Sequence, residues 1–243
     1  RQSYQLIQQF TADAAHELRT PLAAIRATVE STLMIHNLTE AETKETLEAI
    51  GRQNIRLSNL VADLLMLCRM DRQLNVANSS IEIKEQIDLV SLIKDIVEDF
   101  SLLAHKSEIR LDMNLFVIEP LMMIGNYEQL YRMVSNLVSN ALKCTTTGGQ
   151  IQINLTLDRS CQYALIKVED TGVGISPEDL NKIFTRFYRV NSDRSRETGG
   201  SGLGLSIAQA VAQAHQGTIK VDSKLGKGSI FTVLLPVKKH DFA

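Results

Sequence analysis

Through its first seventy-odd residues the chain repeats apolar or small side chains every three or four positions, with a single Pro and a single Gly to interrupt them. One run is Leu6, Phe10, Ala14, Leu18, Leu22, Ile25, Val29 and Leu33; a second is Leu47, Ile50, Asn54, Leu57, Val61, Leu64 and Cys68, spaced 3-4-3-4-3-4. A mean repeat of about 3.5 residues marks helices whose stripes face other helices, here with polar Asn54 at one seam position. Asn37-Leu38-Thr39-Glu40 supplies turn chemistry between the runs, and Thr39 is placed to cap the second helix with Glu42. The pattern therefore predicts an antiparallel helical hairpin. Two helices cannot enclose a core, so two copies are expected to pair into a four-helix bundle. The alternative, a hairpin packed on its own C-terminal half, suits seams this long and regular less well.

The periodicity stops at Gln73–Ser80, QLNVANSS, a polar stretch that reads as a linker. The predicted division is a hairpin over 1–73, a linker over 74–82 and a second domain over 83–243, in keeping with one or two domains for 243 residues. Helices are predicted over Leu89–His105, Tyr127–Lys143 and Leu203–His215. Strands are predicted over Ile109–Leu115, Gln150–Leu157, Tyr163–Glu169, Thr218–Ser223 and Gly228–Pro236. Adjacent strands with short connections imply a mixed sheet carrying helices on one face, an α/β sandwich, and with the hairpin an α+β chain. A net charge of −2 argues against coating nucleic acid, which needs a basic face. No apolar run approaches the roughly 18 residues of a membrane span, and no signal-peptide pattern opens the chain. Cys68, Cys144 and Cys161 are odd in number and scattered, which fits reduced thiols in a cytoplasm better than disulfides or a zinc site. The chain has no initiator Met and opens directly in a helical pattern, as a fragment would, which leaves room for an upstream sensor or anchor.

On a helical wheel with Ala14 at the origin, Leu18 falls at about 40° in the buried stripe, whereas His16 falls near ~200° and Thr20 near ~240°, both facing outward. Pro21 follows Thr20, cannot donate to the carbonyl of Glu17, and is expected to bend the helix. An exposed His is ordinarily a solvated residue. A neutral imidazole beside a carboxylate is also a sensible nucleophile, because the carboxylate takes up developing positive charge. The run Phe10-Thr-Ala-Asp-Ala-Ala-His16-Glu17-Leu18-Arg19-Thr20-Pro21-Leu22 resembles the phosphoacceptor motif of sensor histidine kinases of bacterial two-component systems. The resemblance implies that His16 is phosphorylated, that Glu17 acts as base, and that Thr20 orients water when the same protein dephosphorylates its partner.

Three further motifs lie in the second half. Asp170-Thr-Gly172-Val-Gly174-Ile175 follows a predicted strand, and a carboxylate at a strand end can accept from an exocyclic amine. Gly199-Gly200-Ser201-Gly202-Leu203-Gly204-Leu205 opens a helix, whose N-terminal N–H groups and dipole suit phosphate, although no Walker Gly-Lys-Ser/Thr follows. Asn136, Asn140 and Lys143 share one face of an otherwise apolar helix, where a buried amide network is the bland explanation and a metal and phosphate site the chemical one. Their order, with Phe184-Thr-Arg-Phe187-Tyr-Arg189 between, looks like the ATP-binding domain of the same kinases. The resemblance implies that Asn140 coordinates Mg²⁺, Asp170 reads the adenine amino group, and the backbone around Gly202 and Gly204 holds phosphates. Arg189 and Arg194 would approach the γ-phosphate. Asn136, Lys143, Gly172, Gly174, Gly200 and Leu203 complete the expected ATP-contacting set, and polar Val190–Thr198 is expected to be a lid.

Two positions depart from the family pattern: Cys144 stands where many relatives carry an aromatic that lines the adenine pocket, and Thr146 replaces a common Pro. Weaker base packing is expected. A related hydrolase fold, that of gyrase and heat-shock-ninety ATPases, would carry a Glu at position 136, where this chain has an amide that cannot serve as a general base. A serine-directed anti-sigma kinase would lack the His16 helix, and a decayed scaffold would lack the motif residues that are all present. The implied activity is ATP- and Mg²⁺-dependent autophosphorylation of His16 in a homodimer. Phosphoryl transfer to an aspartate on the receiver domain of a response regulator would follow, with phosphatase activity toward that regulator. His215, His36 and His105 read as helix-end residues, with His215 a C-cap, and Met66, Met122 and Met123 as core filler.

Overall fold

The computed structural model describes residues 2–35, 37–75, 85–117, 120–190 and 201–237. The chain divides into two compact units, the first formed by the helices up to Cys68 and the second running from Arg69 through the sheet-containing remainder.

The two long helices α1 (Gln2–Leu33) and α2 (Glu40–Asn75) are 32 and 36 residues long, and the boundary after Cys68 falls within α2. Helix α1 continues through Pro21, whose ring is buried; a single missing N–H does not end a helix whose flanking turns keep their own bonds. At the start of α2 the expected capping box forms: Thr39 N donates to Glu42 Oε2 at 2.9 Å, and Glu42 N to Thr39 Oγ1 at 3.3 Å. The Thr39 backbone and hydroxyl hold the Glu42 carboxyl below its usual range. Helix α2 runs to Asn75, so Gln73, Leu74 and Asn75 of the expected linker are helical, and the rest of it lies outside the described residues. Among the described residues no helix is long and apolar enough to cross a membrane.

The second unit holds β1 (Glu85–Asp88), α3 (Leu89–Lys106), β2 (Arg110–Phe116), β3 (Met122–Gly125), α4 (Tyr127–Cys144), β4 (Gln150–Leu157), β5 (Tyr163–Asp170), α5 (Gly204–Ala214), β6 (Thr218–Lys224) and β7 (Gly228–Pro236). Five strands form a mixed sheet in the order β2-β4-β5-β7-β6, with β2 and β4 parallel and the other pairs antiparallel. Alternation fixes its faces. Ile151, Ile153 and Leu155 of β4, Ala164, Ile166 and Val168 of β5, and Phe231, Val233 and Leu235 of β7 are buried under the helices. Lys167, Glu169 and Lys220 stand on the other, exposed face. A one-residue slip would turn that apolar set to water at about 1.5–3 kcal/mol per large side chain, so register is strongly specified.

A second, two-stranded sheet, β1 against β3, pairs Ile87 with Met123 and closes one edge of the core. Met122 and Met123, expected as filler, are thus strand residues, and Met123 is buried. Helix α4 is fixed against α3 by two tyrosines. Tyr127 donates to Asp95 at 2.8 Å and Tyr131 donates to Asp99, and burial together with the Asp95 carboxylate pushes the Tyr127 phenol up to about 12.

Candidate functional site

Helix α1 presents His16 and Thr20 to solvent, while Glu17 and Leu18 are half-buried, as the wheel requires. The Thr20 hydroxyl donates back to the His16 carbonyl at 3.2 Å, one turn earlier on the helix. An exposed imidazole next in sequence to a carboxylate is thus present on the first unit.

The second unit carries the other expected site residues. Asp170 ends β5, where its neighbours in the sheet are Ile151 and Ser229, and it is 3% exposed. Burial pushes its carboxyl above the usual range, opposed by the backbone N–H groups of Gly172 and Ser229; the Gly172 bond is 2.8 Å long. Gly172 is required because a Cβ there would fall on the Cys144 carbonyl. That carbonyl also accepts from Val173 N at 3.1 Å, so the loop after β5 is sewn to the end of α4. The Cys144 thiol is pushed up by burial and by the Asp170 carboxylate, and therefore stays a neutral, slightly polar wall beside it. On the loop's other side Gly226 N donates to Val173 O at 2.7 Å and Ile175 N to Ser223 Oγ at 2.8 Å.

Gly174 sits at φ +68°, and a Cβ there would strike the Lys224 carbonyl. Gly174→Ala is expected to cost about 2–3 kcal/mol in denaturant unfolding, from backbone strain and overpacking together. An unchanged midpoint would show that the loop is not held against the β6–β7 turn.

Gly202, at φ +72°, lets Phe187 lie across it: a Cβ would be 2.7 Å from the Phe187 carbonyl carbon, and Phe187 N donates to Gly202 O at 2.9 Å. Leu203 follows, buried, as an N-cap with no side-chain hydrogen bond, so no cap side chain occupies the first N–H groups of α5. Across from Gly204 stands Asn136, whose Oδ1 would lie 3.4 Å from an added Cβ. The Asn136 Nδ2 is buried with no hydrogen-bond partner among the described residues. Asn140, one turn on, is half-buried and Lys143 is exposed. A buried donor opposite the first residue of α5, with a neutral amide oxygen and a lysine further along the same helix, fits a metal-bound polyphosphate in donor set and charge.

Half-buried Arg189 follows the turns over Ser176–Tyr188. Those turns close on Asp179, which accepts from Ser176 Oγ at 2.8 Å and Tyr188 OH at 2.6 Å. The Tyr188 bond, then that of Ser176, holds the Asp179 carboxyl below its usual range. This clamp is absent from the expected site; its sequence signal is Ser176-Pro-Glu-Asp179, a Ser-x-x-Asp box. Arg194, Gly200, His36 and the expected lid from residue 191 to 198 lie outside the described residues.

Two family descriptions match, the His kinase A phosphoacceptor domain over residues 6–73 and the histidine kinase-, DNA gyrase B- and HSP90-like ATPase over 125–239. The sensor histidine kinase RppB of Synechocystis sp. is 48% identical over 236 residues, 97% of this chain and 50% of that protein. The chain belongs to the sensor histidine kinases. It spans about half the length of that relative and 37% of sensor histidine kinase WalK of Bacillus subtilis, to which it is 33% identical over 96% of its own residues. Among solved structures, Acinetobacter baumannii histidine kinase AdeS shares the fold, with a TM-score of 0.71 and 23% identity over 92% of this chain and 98% of that one. The histidine kinase ThkA, solved in complex with response regulator protein TrrA, shares it with a TM-score of 0.70 and 22% identity over 98% of this chain and 64% of that one. The two sets of expected site residues fall one in each matched region. The first region spans His16 and its helix, and the second spans Asn136, Asp170 and the glycine turn.

Proposed function

We propose that this kinase portion binds Mg²⁺–ATP in its second unit, phosphorylates its own His16, and passes the phosphoryl group to an aspartate of a response regulator. The carrying observation is a solvent-facing imidazole on a chain that also holds a buried carboxylate beside a glycine turn and an uncapped helix N-terminus. Asp170 accepts from the adenine amine, and the α5 N–H groups and Asn136 Nδ2 donate to phosphate oxygens. Asn140 offers an amide oxygen to Mg²⁺, and Lys143, Arg189 and Arg194 supply positive charge. Mg²⁺, when bound, neutralises phosphate charge and favours one phosphate geometry. An imidazole nitrogen of His16 forms the new N–P bond as the γ-phosphorus–oxygen bond breaks, its electron pair leaves with ADP, and Glu17 receives the imidazole proton. Hydrolysis of ATP by activated water is disfavoured, because position 136 holds an amide rather than a general base. Incubation with γ-labelled ATP should leave acid-labile, base-stable label on the chain; label that survives acid instead would refute histidine as the acceptor.

The regulator as partner is supported by the ThkA–TrrA complex among the structural relatives. Thr20, exposed beside His16, suits orientation of water in the reverse, phosphatase reaction. A cytoplasmic setting agrees with an ATP substrate and with the free cysteines Cys68, Cys144 and Cys161.

Homodimerisation is supported by the seam. Leu47 is 63% and Val61 41% exposed in the single chain, with Leu22, Val29, Ile55 and Leu65 also open. Val61→Asp is expected to raise the dimer dissociation constant by about 100-fold or more, since an unpaired charge would be buried in each half of the seam. Sedimentation equilibrium reads this directly, and an unchanged dimer would place the seam elsewhere.

A further inference from the structure

His215 lies at the end of α5 remote from the glycine turn and is 6% exposed. Its Nε2 accepts from the backbone N–H of Asn126 at 3.1 Å, and its Nδ1 lies 2.9 Å from the Val211 carbonyl. A ring nitrogen that accepts from an amide carries no proton, so Nδ1 holds the hydrogen and donates to Val211. Both nitrogens are committed in one tautomer. The helix end does not need this ring: Val211 O already accepts from His215 N, and Gly217 N and Gln216 N donate to Ala212 O and Gln213 O. The ring's bond to Asn126 reaches a different helix. Asn126 is the N-cap of α4, its side chain accepting from Gln129 N at 3.0 Å. Gly125 makes room for the bridge, since a Cβ there would lie 2.9 Å from His215 Cδ2 and 3.0 Å from Nε2.

The two helices are therefore tied at one end by His215, while at the other Gly204 of α5 faces Asn136 of α4. We propose, resting on the ATP site proposed for this chain, that His215 is a positioning residue: it sets the register of α4 against α5 and so holds Asn136 and Asn140 opposite the phosphate-facing turn. A slip of α4 by a single residue moves those amides by about 1.5 Å along the helix axis. Misplacement on the order of 1 Å is enough to lose a charge-stabilising contact.

The test uses the full 243-residue chain and a fluorescent ATP analogue, titrated with Mg²⁺ and with EDTA below the melting temperature of each variant. His215→Gln sets an amide oxygen near the place of Nε2 and keeps an acceptor for Asn126. His215→Asn sets its amide near Nδ1 and keeps only the contact within α5. His215→Asn is expected to bind about tenfold more weakly in Mg²⁺ and within about twofold of wild type in EDTA, where Asp170 carries the affinity, whereas His215→Gln stays near wild type in both. Gly125→Ala, which pushes on the ring without removing it, should copy His215→Asn and lose most of its effect in a His215→Ala background, where only the approach of its Cβ to Leu130 Cδ1, at 3.1 Å, remains.

Equal behaviour of the Asn and Gln variants overturns the positioning role, as does an equal loss with and without metal, and so does failure of both His215→Asn and Gly125→Ala to fold. Wild-type protein that shows no Mg²⁺-dependent binding sinks the ATP site itself, and the positioning role with it. Normal wild-type binding with unaffected variants sinks the positioning role alone.

Discussion

Asp170→Asn is expected to weaken ATP binding by about 10–150-fold, the worth of one hydrogen bond to a charged acceptor, while the protein itself becomes harder to melt. Both effects follow from the same burial. The carboxyl is 3% exposed, and its titration in the folded state is raised. A group raised on folding contributes stability below its unfolded value and loses it as pH rises through the folded one, so at neutral pH an ionised Asp170 works against the fold. Asn keeps an oxygen for Gly172 N–H, carries no charge, and presents the adenine amine with a site that is no longer an anionic acceptor. Without nucleotide the melting temperature should rise by about 2–4 °C, the shift that ~1 kcal/mol produces in a protein of this size. The gain over wild type should widen as pH is taken from about 4 to about 8. A gain that is flat with pH would mean the carboxyl is not held up by burial. Undiminished affinity for ATP would remove Asp170 from the base-binding role. On the proposed reading, the site trades stability for a charged acceptor.

Much of this arrangement was legible in the chain because it is written in local patterns. The 3.5-residue repeat located both long helices, the Thr39–Glu42 box located a start, and the strands expected over Gln150–Leu157, Tyr163–Glu169 and Gly228–Pro236 lie within a residue of β4, β5 and β7. Strands β1 and β3 were not legible. Each has four residues, too few to show a period, and their pairing joins Glu85–Asp88 to Met122–Gly125 across an intervening helix and strand. In the candidate site, Asp170 and the glycines stood out by type and order, since a strand end followed by Gly-x-Gly announces a tight turn.

What the turn is tight against was invisible. The Cys144 carbonyl under Gly172, the Lys224 carbonyl under Gly174 and the Ser223 hydroxyl on Ile175 N belong to segments far apart in sequence. His215 is the sharpest case. A histidine before Gln-Gly at a helix end reads as a cap, and only its distance to Asn126 shows that it spans two helices.

His16→Gln should reduce transfer of label from γ-labelled ATP to background while leaving nucleotide affinity within about twofold of wild type, because His16 is not among the residues proposed to hold the nucleotide. Gln has the length of the imidazole but an amide nitrogen whose lone pair is delocalised, so it is no nucleophile. Glu17→Gln is the graded version. It keeps shape and half-burial but cannot take the proton that leaves the imidazole as the N–P bond forms, and should slow labelling by about 10²–10⁴-fold. Affinity measured in parallel separates the two units: Asp170→Asn should lose binding and labelling together, His16→Gln labelling alone. Retained label in the His16→Gln variant, stable to acid, would identify a serine, threonine or tyrosine acceptor. Label stable to base but spread over His36 or His105 would mean that exposure on α1 does not select the target. Only the outcome in which binding survives and all label vanishes ties the exposed imidazole to the buried carboxylate as two halves of one reaction.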